Sequence, residues 1–179
     1  MKKILIFLSL IFTTLYCDDK SDYENTKLEL VKKYESQKPK EWSETASGVK
    51  TKLDTNEKVI ALTMDACGGS KGSNFDKELI NFLQKEEIPA TLFINKRWID
   101  KNMQTFKVLD ANPLFEIANH GFFHKPASVN EKSIYKIAGT KNISELVDEI
   151  ELNARYIESL TNKRPKYFRS GTAYYDEIA

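Results

Sequence analysis

The sequence predicts an α/β fold of parallel βα units, either a barrel or a doubly wound sheet. Three observations lead there. From about residue 58 onward, short apolar runs alternate with amphipathic helical stretches. Turn or cap signals punctuate these runs, and the residues with chemical potential fall where the runs end. Crossover helices cover both faces of a parallel sheet, so its strands read as near-continuous apolar segments. In both architectures, sites gather at the carboxyl ends of strands.

The elements follow in order. Lys2 and Lys3 precede an apolar run from Ile4 to Tyr16, which Cys17, Asp18, Asp19 and Lys20 close. This is the anatomy of an export signal, and the run is short for a membrane span. Cys17 at the junction resembles the lipid-modified cysteine of bacterial lipoproteins, with Tyr16 where a small residue is usual. Residues 1–17 are therefore expected to be a signal peptide of lipoprotein type, lipidated at Cys17; an ordinary cleaved signal is the alternative. The chain would be exported, to the membrane through a lipid anchor or to the periplasm or cell envelope. Residues 18–57 are polar and read as a tether, with a short helix over 27–34 interrupted by Pro39 and the 43–48 stretch.

Residues 58–179 read as the folded domain. Val59 to Met64 is the first strand, buried on both faces. Gly68, Gly69 and Gly72 form a loop, and Asn74 caps a helix carrying Leu79, Ile80, Phe82 and Leu83. Ile88-Pro89 ends that helix, and Ala90 to Asn95 is the second strand. One helix follows over about Trp98 to Asp110, then a third strand over Phe115 to Asn119. Residues 143–160 make the clearest helix. Asn142 and Glu145 have the spacing of a capping box, and Ile143, Leu146, Val147, Ile150, Ala154 and Ile157 share a face. Lys166 to Arg169 begins a fourth strand.

Charge excludes one class of partner. Twenty-seven basic residues offset 26 acidic ones, and no continuous basic face interleaves with aromatics, so nucleic acid is not an expected partner. Cys17 and Cys67 are the only cysteines. With Cys17 acylated or removed, no disulfide framework is available.

The two histidines of the chain, His120 and His124, stand four residues apart at the end of the third strand. At that spacing both rings can face one divalent metal ion. Two ligands leave room for a third and for water, whose pKa a metal lowers. Asp65 at the end of the first strand suits a general base, and Arg169 at the end of the fourth suits a cation that keeps Asp65 ionised and oriented. Together these parts describe metal-assisted hydrolysis.

The motifs resemble those of the polysaccharide deacetylases, in the same order, from about Val59 to Ala179. Leu62-Thr63-Met64-Asp65 is similar to that family's Thr-Phe-Asp-Asp motif. Ile88 to Phe93 matches the stretch leading into its second strand. Asn119-His120-Gly121-Phe122-Phe123-His124 resembles the His-Ser/Thr-x-x-His motif, and Phe168-Arg169-Ser170-Gly171 the Arg-x-Pro motif. The resemblance implies a distorted, incomplete (β/α) barrel. It also implies a divalent metal, zinc or similar, and hydrolysis of N-acetyl groups on an acetylated polysaccharide or peptidoglycan sugar. By resemblance Asp65 is the base, His120 and His124 are metal ligands, and Arg169 orients the base.

The chain departs from the family in three places. Ala66 occupies the position of the metal-binding aspartate, so Asp65 or Cys67 is expected as third ligand, or the site holds metal weakly or not at all. Gly171 replaces the proline of the third motif. The family's later elements, with the histidine that protonates the leaving amine, have no counterpart, so the expectation is a barrel lacking its last βα units and a truncated product of little activity. The alternative is a non-catalytic envelope lipoprotein that binds glycan or a protein partner on the same scaffold. A weaker one is a metal-free hydrolase acting on another C–N bond.

Overall fold

A computed structural model of the chain describes residues 20–70 and 72–179. The expected signal peptide and Cys17 lie outside the described residues. The chain divides into two compact units between Gln37 and Lys38. In the first, helix α1 covers 20–34 and so contains the helix expected over 27–34. No described helix is long and apolar enough to cross a membrane.

The second unit is a mixed α/β structure around a parallel sheet. Its elements are β1 (Thr63–Ala66), α2 (Lys77–Lys85), β2 (Ala90–Ile94), α3 (Lys96–Lys101), α4 (Met103–Asp110), β3 (Phe115–Asn119), β4 (Ser133–Ile134), β5 (Ile137–Ala138) and α5 (Ile143–Thr161). The strand order is β1-β2-β3, all parallel, with Asp65 opposite Phe93 and Phe93 opposite Ala118. A parallel bridge then joins Asn119 to Phe168. Strands laid down in sequential order form the wall of a (β/α) barrel; a doubly wound sheet would reverse direction at a switch point. The fold is thus an incomplete barrel.

The core lies between the sheet and its helices. Leu92 and Ile94 of β2 pack with Ile80 and Leu83 of α2, Trp98 and Ile99 of α3, Phe106 and Leu109 of α4, and Ile157 of α5. The opposite face of the sheet carries Thr63, Thr91, Phe93 and Arg169, which line a cavity of about 710 Å³ with parts of the 50–61 segment. The functional groups lie on this side and at the strand ends.

The structure corrects several sequence expectations. The first strand is not Val59 to Met64 but Thr63–Ala66, and Val59 and Ile60 are 51% and 89% exposed. Parallel pairing to β2 begins only at Thr63, so the upstream residues lack a second strand to bury them. Asn74 does not cap α2. Its carbonyl accepts the Trp98 indole N–H at 3.1 Å, and Asp76 caps instead, accepting from the Leu79 amide at 2.9 Å. Of the expected apolar face of α2, Ile80 and Leu83 are buried while Leu79 and Phe82 are exposed. The single helix expected over Trp98 to Asp110 is two. It breaks at Asn102, whose side-chain amide donates to Ser73 and Trp98 carbonyls and whose backbone leaves the helical region at φ −128 and ψ 34. The fourth strand reduces to one bridge at Phe168.

Residues 38–49, expected as part of the tether, fold with the second unit. Lys40 and Glu41 amides donate to the Glu177 carboxylate, Ser43 and Tyr175 exchange both backbone hydrogen bonds, and Ala46 is buried. The missed signal is pairing over more than 130 positions, which local composition cannot carry.

Helix α5 begins as expected. Asn142 accepts from the Glu145 amide at 2.9 Å, but the reciprocal arm of a capping box is diverted: the Glu145 carboxylate accepts from the Lys141 amide and Lys125 Nζ. Asn142→Ala removes the one side-chain cap and is expected to destabilise the unit by about 1 kcal/mol. Thermal unfolding should then fall by about 2–4 °C; an unchanged midpoint would show that the cap is dispensable.

Candidate metal centre

Five residues singled out from the sequence meet at the carboxyl ends of the strands. Asp65 lies in β1, Cys67 just beyond it, His120 just beyond β3, His124 in the following turn, and Arg169 beside the Phe168 bridge. The Cys67 Sγ and one nitrogen of each histidine all lie within 4.8 Å of one another. Asp65 belongs to a separate pair: Arg169 Nη1 donates to Asp65 Oδ1 at 2.7 Å. The same guanidinium donates to Thr63 Oγ1 at 3.0 Å and stacks on the Phe93 ring, 4.1 Å from its centre. Three contacts leave it little freedom, so it fixes the direction of the carboxylate it holds.

The backbone of Arg169 has a second role. Its carbonyl oxygen lies 2.9 Å from His120 Nδ1. A carbonyl only accepts, so Nδ1 carries the ring proton and Nε2 presents a lone pair. A carbonyl on the far nitrogen is the usual way a metal-ligating histidine is oriented. His120 Nε2 stands 3.6 Å from Cys67 Sγ and accepts a hydrogen bond from its thiol. A sulfur and a nitrogen on one tetrahedral zinc ion are separated by about 3.6 Å, given Zn–S near 2.3 Å and Zn–N near 2.05 Å.

His124 supplies a further observation. Its Nε2 is buried and has no hydrogen-bond partner. A buried polar atom without a partner is costly and calls for a ligand. The His124 ring meets that of His120 edge-on, with centres 4.8 Å apart. Its backbone is left-handed at φ 65, an unusual state for a residue with a Cβ.

Burial keeps the donor set neutral. Burial first, then the charge of His120, pushes His124 down to about 4. Burial likewise lowers His120 against the opposing pull of Asp65. The Cys67 thiol is raised, chiefly by burial and next by Asp65. Both imidazoles are therefore uncharged near neutral pH, each with one ring nitrogen free to offer a lone pair, as metal ligation requires. The Cys/His/His set thus fits a divalent ion, and its softness suits zinc.

The turn holding the histidines rests on residues that sequence reasoning missed. Asn95, Asn119, Glu149 and Asn153 are all buried. Asn95 Nδ2 donates to the carbonyls of His120 and Gly121, and Asn119 Oδ1 accepts from the Gly121 amide. Asn153 Nδ2 joins Asn119 Oδ1 to the Ile94 carbonyl. Glu149 accepts from the amides of Phe123 and Lys125. The available signal was Glu149 and Asn153 lying on the apolar stripe of α5, where Leu146, Ile150 and Ile157 also fall. Of the third motif, Ser170 is fully buried and bonded to Tyr174 and Tyr175, which makes it part of the scaffold. Gly171 lies where any Cβ would strike the His124 backbone, so the residue replacing proline permits the close approach of the two motifs.

Comparison with known proteins follows the same lines. The family profile described as polysaccharide deacetylase matches residues 52–179. The uncharacterized protein YlxY of Bacillus subtilis (strain 168) is 30% identical over 97 residues, 54% of this chain and 27% of that protein. The crystal structure of wild-type BA3943, a CE4 family pseudoenzyme from Bacillus anthracis, superposes with a TM-score of 0.51 at 26% identity, covering 69% of this chain and 39% of that one. A BA3943 mutant described as having restored enzymatic activity gives 0.52 at 27% identity, over 69% and 40% of the two chains. This chain spans less than half the length of each of these proteins.

The donor set makes a direct prediction. Cobalt(II) added to the purified protein should give a near-ultraviolet thiolate-to-metal absorption band that Cys67→Ser abolishes. A saturating divalent ion, at about a hundredfold over its Kd, should stabilise the fold by about 2.7 kcal/mol. Chelation should reverse this. A cobalt spectrum identical in Cys67→Ser would remove the thiolate from the site.

Proposed function

This chain belongs to the polysaccharide deacetylase family, and we propose that it is a metal-dependent N-deacetylase of an acetylated polysaccharide or peptidoglycan sugar. The observation that carries this reading is the Arg169–Asp65 pair set beside the Cys67, His120 and His124 cluster. Metal-assisted amide hydrolysis uses both a base and metal donors, and here Arg169 contacts one of each, Asp65 through its side chain and His120 through its carbonyl.

Roles follow from the chemistry of each group. His120, His124 and Cys67 would hold the metal, with Cys67 standing in for the family aspartate that is Ala66 here. When bound, a divalent ion supplies Lewis-acid polarisation, which favours attack by water on an acyl carbon. Asp65 takes the proton from that water as the new C–O bond forms. As the C–N bond breaks, the same proton is available to the departing amine nitrogen, giving acetate and a free amino sugar. Arg169 keeps Asp65 ionised and aimed.

The exported location is part of the same proposal. Lys2, Lys3, the apolar run and Cys17 would bring the domain to the cell envelope, where acetylated glycan is exposed. A second reading, non-catalytic binding of glycan or a protein partner, draws on two observations: Ala66 cannot ligate, and the similar BA3943 is described as a pseudoenzyme.

Acetate release from N-acetylated chitooligosaccharides and peptidoglycan fragments, with zinc supplied, separates the two. The first reading expects turnover that chelator removes and that Asp65→Asn lowers by about 10²–10⁴. Arg169→Lys should give an intermediate loss, because an ammonium keeps the charge but not the forked geometry. Turnover unchanged in Asp65→Asn would sink the base assignment. Glycan retention without acetate release, indifferent to chelator, is what the second reading expects.

A further inference from the structure

We propose that Glu149 is the positioning residue of the metal site, its carboxylate anchoring the turn from His120 to Lys125 and so setting where His124 Nε2 stands. The inference rests on the metal-binding reading of Cys67, His120 and His124.

Glu149 lies in the middle of α5 and is 0% exposed, on a stripe otherwise filled by Leu146, Ile150 and Asn153. A carboxylate has no reason to be there for packing alone, since burial penalises its charge. Burial does push it up to about 7, against backbone amides that favour the ionised form.

Those amides come from one place. Oε2 accepts from Phe123 N at 2.8 Å and Oε1 from Lys125 N at 3.0 Å, while the Glu149 carbonyl accepts from Phe122 N at 2.9 Å. The two carboxylate bonds bracket His124. A left-handed conformation at a residue with a Cβ persists only where its surroundings over-determine it, and the bracketed amides are such surroundings. The fit extends to Gly121, where an added Cβ would strike Glu149 Oε1. The carboxylate and the turn are therefore shaped to each other, and no part of the proposed chemistry at Asp65 and Arg169 uses Glu149. Its contacts are with backbone amides of the turn, that of His124 included, rather than with the ring nitrogens, and it acts through His124.

The test is zinc and cobalt(II) titration of the full chain, comparing wild type with Glu149→Gln and Glu149→Asp. Glutamine keeps the shape but sets an N–H₂ against one of the two amide donors. Aspartate keeps the charge on an arm too short to reach both. Each is expected to unfold cooperatively, to bind zinc 10–100-fold more weakly, as loss of a ligand's supporting partner usually does, and to alter the cobalt visible spectrum while the Cys67 thiolate band persists. On a His124→Ala background, Glu149→Gln should add no further loss, because its effect passes through that ring.

Wild-type affinity and spectrum in a folded Glu149→Gln protein would overturn the proposal. So would an equal penalty in both His124 backgrounds, or the failure of both Glu149 variants to fold, which would assign the residue to the fold as a whole. Wild-type protein that binds neither ion overturns the metal site itself. Binding by wild type with no effect at Glu149 overturns this inference alone.

Discussion

A turn that begins in the interior, outside any helix or strand, must find partners for its own amides and carbonyls, and the segment from His120 to Lys125, buried at His120 and Gly121, is such a turn. Only its first amide reaches the sheet, His120 N–H donating to the Ile94 carbonyl, and water is excluded around His120. The chain meets the requirement with side chains that composition would place at the surface. Asn95 takes the His120 and Gly121 carbonyls, Asn119 the Gly121 amide, and Glu149 the amides that follow. Each leaves water for a partner within the fold, an exchange nearly neutral per bond and costly if any member is lost. A network of this kind selects one conformation of the turn, and that conformation brings the two imidazoles together.

Arg169 ties the turn to the rest of the site. The single bridge at Phe168 is too short to count as a strand, yet it is where the pairing has to be accurate. Asn119 donates to the Tyr167 carbonyl and accepts from the Arg169 amide, at 2.9 Å in both cases. That register aims the Arg169 carbonyl at His120 Nδ1 and its side chain across the open face of the sheet to Asp65. Histidine tautomer and carboxylate orientation are thereby fixed by one residue, and neither can shift without the other. Gly171 completes the joint by letting the third motif approach the His124 backbone to a distance that no Cβ permits.

Local pattern revealed what local forces build. The α5 boundaries, β3 and the placement of His120 were legible because periodicity, a cap and strand-end position are short-range signals. The boundaries of β1 were not, since an apolar run such as Val59–Leu62 is buried only if a neighbour exists on each side, and that is a tertiary fact. The break at Asn102 and the transfer of the cap from Asn74 to Asp76 have the same cause: Asn74, Ser73, Trp98 and Asn102 satisfy one another across 24–29 positions. Within the site, Asp65, Cys67, both histidines and Arg169 could be named because their chemistry is distinctive. Glu149 and Asn153 carried only the faint signal of lying on the apolar stripe of α5, and for Asn95 and Asn119, at the ends of β2 and β3, it is the three-dimensional arrangement that shows them facing inward.

The nature of the third donor follows from the electrostatics of the cluster. All three groups are shifted toward their neutral forms by burial, the histidines downward and the Cys67 thiol upward. A carboxylate in that position would keep its charge close to Asp65, two anions in a partly dry site, which is unfavourable without a compensating cation. A thiol avoids that penalty. It stays protonated and neutral while the site holds only protein atoms, and releases its proton when a cation arrives. Arg97, whose guanidinium is bonded to Asn95 Oδ1 and the Cys67 carbonyl, adds positive charge that disfavours protonation of both histidines. On the proposed metal-binding reading, the exchange of aspartate for the Ala66-Cys67 pair would move the donor one residue along the chain and onto a softer atom, leaving Asp65, held by Arg169, as a carboxylate outside the donor cluster.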